Sequence, residues 1–310
     1  MSGEDDLDEV EAMMCCASCG IAEVDDIELK ECDDCDLVKY CSDDCKEDHR
    51  SEHEAKCKER AAELRDEILF RQPESSHLGD CPICCLPLQH DSQTSALSSC
   101  CCKFICQGCD FTNRLHQPVQ ENSQIELACL FCRQTAPETM EEVDRNLMKR
   151  IAANDPMAMC HMGGKLSHEG DYEGAFKYWT KAAALGHAES HYGLSLLYRT
   201  GEGVEKDEKK EMYHLEEAAI QGHLDTRHQL GVNEVMNSRI ERAVKHFTIA
   251  ANLGHDDSIQ ELKKCYKHGL VSKDDFAAAL RAHHAAVDAT KSPEREAAAN
   301  NFVNFFGDAA

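Results

Sequence analysis

The chain has 310 residues, 20 of them cysteine, and a formal net charge of −25. That length allows two or three domains, and the charge argues against nucleic acid as the main ligand, because such binding needs basic residues that displace counterions from phosphate. No run reaches the roughly 18 apolar residues needed to cross a bilayer and no apolar leader opens the sequence, so the expectation is a soluble, intracellular protein with no membrane partner.

All but two of the cysteines, Cys160 and Cys265, fall in the first 132 positions. They come in short, metal-spaced pairs, which predicts a reducing compartment rather than a disulfide scaffold. Residues 1–14 are acidic and poor in apolar side chains, predicting a solvated, disordered tail. Residues 15–57 then read Cys16-x2-Cys19, Cys32-x2-Cys35, Cys41-x3-Cys45 and His53-x3-Cys57, eight ligands and enough for two tetrahedral zinc ions. The sizeable apolar residues among them are Ile21, Val24, Ile27, Leu29, Leu37, Val38 and Tyr40, too few to fold so small a segment by burial. Metal must hold it together, and structural zinc in finger peptides contributes roughly 10–16 kcal/mol.

The order of these pairs, with Lys39-Tyr40-Cys41-Ser42 before the fifth ligand and Asp48 ahead of His53, resembles a MYND-type zinc finger. The resemblance implies interleaved sites, Cys16, Cys19, Cys41 and Cys45 on one zinc and Cys32, Cys35, His53 and Cys57 on the other. At His49 the family commonly has tryptophan, so the peptide-contacting surface differs here. Cys15 is a register alternative to Cys16, and His49 competes with His53 as the imidazole ligand.

Within a linker over 58–79, Lys58 to Gln72 carries Ala61, Leu64, Ile68 and Leu69 at helical spacing before Pro73, predicting a short connecting helix that packs on a flanking zinc module. A second array occupies 80–133: Cys81-Pro-Ile-Cys84, Cys100-Cys101-Cys102, Cys106-x2-Cys109 and Cys129-Leu-Phe-Cys132-Arg133. It resembles a RING finger of the all-cysteine type. That resemblance implies Cys81, Cys84, Cys106 and Cys109 on one metal and Cys100, Cys101, Cys129 and Cys132 on the other, with Cys102 in a small-residue position, although Cys101 and Cys102 both remain open as the ligand. The spare thiols Cys15, Cys85, Cys102, Cys160 and Cys265 are read as buried small hydrophobes. Ubiquitin-ligase RING domains hold their conjugating enzyme through an apolar residue in the first pair, matched by Ile83, and a basic residue after the last ligand, matched by Arg133. For the apolar element between them the sequence offers Phe111 or Leu115, since Trp179 lies outside the module, and Leu130 replaces the usual proline.

After a linker over 134–154 the texture turns helical. Ala-Ala-Ala-Leu-Gly186-His187, Ala-Ala-Ile-Gln-Gly222-His223 and Ala-Ala-Asn-Leu-Gly254-His255 recur at near-constant spacing, the glycine suiting the left-handed position that ends a helix. With Tyr192-Gly-Leu-x-Leu-Leu-Tyr198-Arg-Thr-Gly201-Glu-Gly203-Val204 the segment 155–290 resembles Sel1-like repeats, antiparallel helix pairs related to tetratricopeptide units. The fourth pair, about Asp256 to Thr290, reads as a cap. His187, His223 and His255 are expected to stack as equivalent corners rather than converge on a metal, and His283 and His284 to point apart on one helix. Residues 291–310 form a C-terminal tail in which Phe302, Phe305 and Phe306 cap the last helix or fray.

The expected fold is thus two small zinc-stabilised modules, a MYND finger and a RING-like finger, followed by an all-α antiparallel helix-pair solenoid. No nucleotide loop, dinucleotide fingerprint, serine elbow or helical zinc-protease motif is present. Four-ligand zinc sites leave no open position for water, so no catalytic residue is expected, and about four structural zinc ions are. The function expected is a protein–protein interaction adaptor that takes peptide motifs on its MYND and solenoid surfaces. The alternative is a RING-type ubiquitin ligase that recruits a conjugating enzyme through Ile83 and Arg133.

Overall fold

The computed structural model describes residues 15–21, 23, 28–91, 94–115 and 128–307, with side chains to residue 301. The expectations for the 1–14 tail, for Val24 and Ile27, and for the side chains of Phe302, Phe305 and Phe306 lie outside the described residues. The chain divides into two units, Met1–Arg71 and Gln72–Ala310. Among the described residues no helix is long and apolar enough to cross a membrane.

In the first unit, β1 (Lys30–Glu31) and β2 (Lys39–Tyr40) pair antiparallel, Lys30 opposite Tyr40. The helix α1 (Asp43–Leu69) follows, opened by Ser42, whose hydroxyl accepts the Cys45 N–H at 3.2 Å. The sequence predicts a connecting helix from Lys58; instead one continuous helix starts inside the finger and carries Cys45, His53 and Cys57. Its first turns have no apolar stripe because the candidate ligands Cys45, His53 and Cys57, four or eight positions apart, take the inward face that apolar residues would otherwise mark. Farther along, Arg60 grips Asp36 through two bonds of 2.7 and 2.9 Å, which ties the helix back onto the finger's own loop. The core is Cys16, Leu29, Cys32, Cys35, Tyr40 and Cys57.

The second unit opens with a cysteine module. An antiparallel hairpin, β3 (Ser95–Ser98) and β4 (Lys103–Cys106), leads into α2 (Gln107–Leu115), around a core of Cys81, Leu88, Cys101, Ile105, Cys106 and Cys129. The stretch read as a linker over 134–154 contains a helix, α3 (Met140–Ala152). Thr139 caps it by accepting the Glu142 N–H, and Glu142 in return accepts the Glu138 N–H. It is an integral part of the fold: Leu147 is buried with Cys102, Ala158 and Met162.

Four antiparallel helix pairs follow: α4 (Pro156–His168) with α5 (Tyr172–Ala184), α6 (Ala188–Thr200) with α7 (Glu208–Ile220), α8 (Leu224–Met236) with α9 (Ile240–Asn252), and α10 (Asp256–Lys267) with α11 (Lys273–Ala289). A last helix, α12 (Pro293–Gly307), packs back on α2. Alanines 175, 182, 218, 219, 243 and 250 are wholly buried, so neighbouring helices close to short distance where those small side chains meet. Trp179 fills the first interface; its indole N–H donates to the Cys160 carbonyl at 3.1 Å. A Cβ at Gly193 would stand 2.7 Å from the Trp179 ring. Gly193→Ala is therefore expected to destabilise the solenoid by about 1–3 kcal/mol, read as a lower thermal midpoint by circular dichroism with unchanged helix content at room temperature.

The repeated Gly-His corner has a specific use. Gly186, Gly222 and Gly254 take φ of +78°, +84° and +91°, and the histidine after each caps the next helix. His187, His223 and His255 each accept through Nδ1 the backbone N–H three residues on, from Ser190, Thr226 and Ser258. An accepting Nδ1 leaves the ring proton on Nε2. That proton points to the acid two residues into the preceding repeat's helix: His223 Nε2 is 3.0 Å from Glu189 and His255 Nε2 is 3.2 Å from Asp225. Successive repeats are thereby joined by a ladder of capping histidines and carboxylates. His283 continues it onto Asp256 at 3.0 Å.

Candidate metal centres

Three of the Cys-x2-Cys pairs share one local geometry. Cys16, Cys81 and Cys129 each accept through their carbonyl the N–H four residues on, from Gly20, Cys85 and Arg133. Those three closing residues take φ of +74°, +55° and +63°. In return the Cys16, Cys81 and Cys129 amides donate to Ile21, Leu86 and Gln134. Each is a tight knuckle that turns two sulfur atoms to the same side.

In the first unit the knuckle presents Cys16 and Cys19, while Cys41 lies just after β2 and Cys45 in the first turn of α1. Their sulfurs come together, Cys19 to Cys41 and Cys41 to Cys45 both at 3.6 Å. Cys32 and Cys35 meet His53 and Cys57 from α1, with Cys32 to Cys57 at 3.7 Å and Cys35 to His53 Nε2 at 3.2 Å. In each foursome all ligand atoms lie within 4.8 Å of one another. A zinc tetrahedron with bonds of about 2.3 Å has sulfur–sulfur edges of about 3.8 Å, so these spacings fit the ion. Cys15 stands outside the first set. His49 stands outside the second, with its Nδ1 3.1 Å from the Tyr40 hydroxyl and its ring stacked on His53 at 5.7 Å.

The second unit repeats the interleaving. Cys81 meets Cys109 in α2 at 4.0 Å between sulfurs, and Cys84 meets Cys106 at the end of β4 at 3.8 Å. Cys100 and Cys101, in the turn of the hairpin, meet Cys132 and Cys129 at 3.3 and 3.7 Å. Both foursomes also lie within 4.8 Å throughout. Cys102 turns away at φ +53° into the apolar cluster around Leu147, where burial pushes its thiol up to about 11. Cys160 is likewise buried and raised to about 12 by that burial. Cys85 departs from the expectation for spare thiols: it is exposed, because the left-handed residue closing a knuckle faces solvent.

Thiols this close do not ionise together without a cation. Hydrogen bonding to Cys19 and Cys45 pushes Cys41 up to about 12, and burial beside Cys32 does the same to Cys57. A divalent soft ion that displaces the protons satisfies such donors. The set Cys81, Cys84, Cys106 and Cys109 has a further feature. Arg295 of α12, buried to 7% exposure, donates to the carbonyls of Pro87 at 2.6 Å and Leu86 at 3.2 Å and reaches Cys84 Sγ at 3.4 Å. α12 comes this close because position 108 is glycine: a Cβ there would be 2.7 Å from the Arg295 amide. A buried guanidinium needs a negative partner, and a metal bound by four thiolates carries about −2.

His77, Glu189 and His223 also bring ligand atoms within 4.8 Å of one another. Zinc on His223 Nε2 would have to displace the proton that the helix-capping bond places there, so this group is a hydrogen-bonded cluster and not a metal centre. His77 stacks on His223 at 4.3 Å, and His90 holds Asp225 at 2.8 Å. These two residues fasten the cysteine module to the ladder. Although burial opposes it, hydrogen bonds from His223 and His77 hold Glu189 well below the usual carboxylate range, and those from His255 and His90 do so for Asp225. Neither His77, His90 nor Arg295 sits in a spacing motif, so sequence reasoning had no signal for them.

Ile83, 40% exposed, shares a small groove of about 310 Å³ with Thr112, Asn113 and Leu130. Ser292 and Glu294, at the start of α12, form its other edge. Phe111, Leu115 and Arg133 do not line it.

Family models match residues 16–57 as a MYND finger and residues 156–187, 188–223 and 231–255 as Sel1 repeats. The chain is 33% identical over 115 residues to an uncharacterized protein of Neisseria meningitidis serogroup B, spanning 37% of this chain and 24% of that one. It is 22% identical over 221 residues to DAP3-binding cell death enhancer 1 of Mus musculus, spanning 58% of this chain and 42% of that one. Each match thus covers less than half of the curated relative. Among solved structures it is similar to a Sel1 repeat protein from Oxalobacter formigenes, at 27% identity over 50% of this chain and 66% of that one, with a TM-score of 0.42. The chain therefore carries a MYND finger and a solenoid of Sel1 repeats, with a second cysteine-rich, zinc-finger-like module in the sequence between them.

Proposed function

We propose that this protein is an interaction adaptor held in shape by four structural zinc ions. One ion is bound by Cys16, Cys19, Cys41 and Cys45, and one by Cys32, Cys35, His53 and Cys57. The third is bound by Cys81, Cys84, Cys106 and Cys109, and the fourth by Cys100, Cys101, Cys129 and Cys132. The observation that carries the reading is the closure of all four foursomes within 4.8 Å: four protein ligands saturate a tetrahedral ion, leaving no open position for substrate or activated water. MYND fingers and Sel1 repeats are protein-recognition modules, and one relative is named for binding DAP3, which supports polypeptide partners for this chain as well. The ligase alternative draws on Ile83 and Arg133, but no observation favours it. The groove beside Ile83 is edged by the chain's own α12, and Arg133 serves to close a knuckle. Elemental analysis of full-length protein purified without added metal is expected to give four zinc per chain. Cys35→Ser and Cys129→Ser are each expected to lower that figure by one. Two or fewer equivalents in the unaltered protein would overturn the assignment.

A further inference from the structure

An uncovered apolar stripe runs along the C-terminal half of α8. Val232, Val235 and Met236, spaced i, i+3 and i+4, are 37, 43 and 79% exposed. Side chains at that spacing ordinarily form the inward face of a helix, yet here they face solvent. Because each helix of the solenoid is antiparallel to the next, α6, α8 and α10 run parallel, and His228 of α8 reaches Ser258 of α10 at 3.0 Å. Equivalent positions on the three helices can be counted from the capping histidines His187, His223 and His255. Twelve positions on stand Arg199, Val235 and Lys267, and thirteen on stand Thr200, Met236 and His268. The apolar stripe therefore lies between a basic residue on α6 and another on α10.

Cationic flanks stand out in a chain whose net charge is −25. Arg199 and Lys267 are both exposed and close no salt bridge among the described residues. Glu211 of α7 feels the field of Arg199 without pairing with it. The other acids nearby are engaged. Glu234 is buried and bonded by Arg239 and Arg242, and Glu261 holds Lys264 at 2.6 Å. Glu202 accepts from the Thr200 hydroxyl at 3.1 Å and is offset by Lys206, which folds over Gly201. Glu189, Asp225 and Asp257 lie at the opposite ends of these helices, Asp225 about 15 Å along the axis from Val235.

We propose that this stripe docks an amphipathic helix of a partner polypeptide, its apolar row seated on Val232, Val235 and Met236 and its two flanks carrying Asp or Glu. The proposal rests on the adaptor reading and names the chemistry of the partner. An α-helix is about 10–12 Å across with its side chains, so a helix lying along α8 brings one flank to Arg199 and the other to Lys267. Met236, the most exposed of the three, is unbranched and adapts its shape to the side chains it meets. An anionic membrane also favours apolar residues beside cations, but it presents a broad negative plane, which the net charge of the chain opposes. A single acidic helix meets only the cationic flanks.

The test uses fluorescein-labelled peptides, helical by design, with a leucine row along one face and Glu, Gln or Lys on both flanks, titrated into the full zinc-loaded chain and read by anisotropy. The Glu peptide is expected to bind at least tenfold more tightly than the Gln and Lys peptides, with the gap narrowing as salt screens the flanks. Met236→Ser is expected to weaken the Glu peptide fivefold or more. Arg199→Glu combined with Lys267→Glu is expected to reverse the order, so that the Lys peptide binds best. All three positions are exposed, and circular dichroism verifies that each variant is folded. Indifference to the flanking charge, an order that survives the double substitution, or no binding by any peptide would each overturn the proposal. So would flotation of the chain with phosphatidylserine vesicles that Met236→Ser abolishes, which makes the occupant a membrane. A dimer in sedimentation that the same substitution splits would make it a second copy and overturn the proposal as well. Zinc content measured on the same sample separates these outcomes from failure of the adaptor reading, which would show as missing metal.

Discussion

Stripping metal from the full chain with a strong chelator is expected to abolish the fold of residues 16–57 and 80–133 and to loosen, without unfolding, part of the solenoid. The first effect follows from core composition. In the first module four of the six buried core residues are candidate ligand cysteines, with only Leu29 and Tyr40 besides; in the second, four of six are, with Leu88 and Ile105. Roughly 10–16 kcal/mol of metal binding per site rivals the whole stability of an ordinary domain, about 5–15 kcal/mol. Composition alone would predict that the helical half is spared, and tertiary contacts say otherwise. Cys102 packs on Leu147 and Ala158, His77 and His90 bond to the ladder, and Arg295 binds the first knuckle of the second module. Hydrogen exchange with mass spectrometry should therefore show protection lost over both modules, reduced over α3, α4 and the first turns of α12, and kept over α6 to α9. Full protection of α3 and α4 in chelator would refute the coupling. Arg295→Ala should weaken metal retention about tenfold at one site of four, as losing an outer partner of a metal centre does.

Acidification from pH 6.5 to 4 is expected to lower the thermal midpoint of the solenoid before its carboxylates titrate. Burial holds His187 and His214 down to about 4 and His246 down to about 3, against about 6.5 in an unfolded chain. Between those values the unfolded chain binds the extra protons, so stability is fully present above pH 6.5 and falls as pH drops toward 4. Holding His187 or His214 that far below the unfolded value corresponds to about 3 kcal/mol each. His90 acts in the opposite sense: its bond to Asp225 raises it, a contribution present below pH 6.5 and lost as pH climbs through the raised value. Glu189 and Asp225, depressed, contribute until the pH falls below about 4, where an unfolded carboxylate takes up its proton. Acid also releases zinc, so the control is His246→Leu, which leaves every cysteine in place. Between pH 7 and pH 4.5 the midpoint of the unaltered chain should fall by about 5 °C or more in excess of the fall seen with His246→Leu, a size consistent with the midpoint shift per kcal/mol of chains this long. Parallel pH profiles would rule out the histidine origin.

The cysteine pairs were legible in the sequence because a Cys-x2-Cys knuckle of the kind at Cys16, Cys81 and Cys129 is a local object, a five-residue turn, whereas which pairs share a candidate site followed from the family resemblance. The repeat helices were legible for a similar reason. Their Ala-Ala phrases and glycine ends act within one or two turns of chain. The start of α1 at Asp43 was hidden because ligand atoms replaced the apolar stripe that hydrophobic periodicity detects. α3 was open to a local reading, with Val143, Leu147 and Ile151 at helical spacing behind the Thr139 cap, and what the sequence withheld is its partner Cys102 in the hairpin turn. Only the tertiary structure decided which thiol of Cys100-Cys101-Cys102 leaves the foursome, since the hairpin turn sends Cys102 to the opposite side. Only it could give His77, His90 and Arg295 their roles. Each is an ordinary residue in sequence, and each acts through a partner more than a hundred positions away, at a distance set by how the helix pairs stack and not by any local rule.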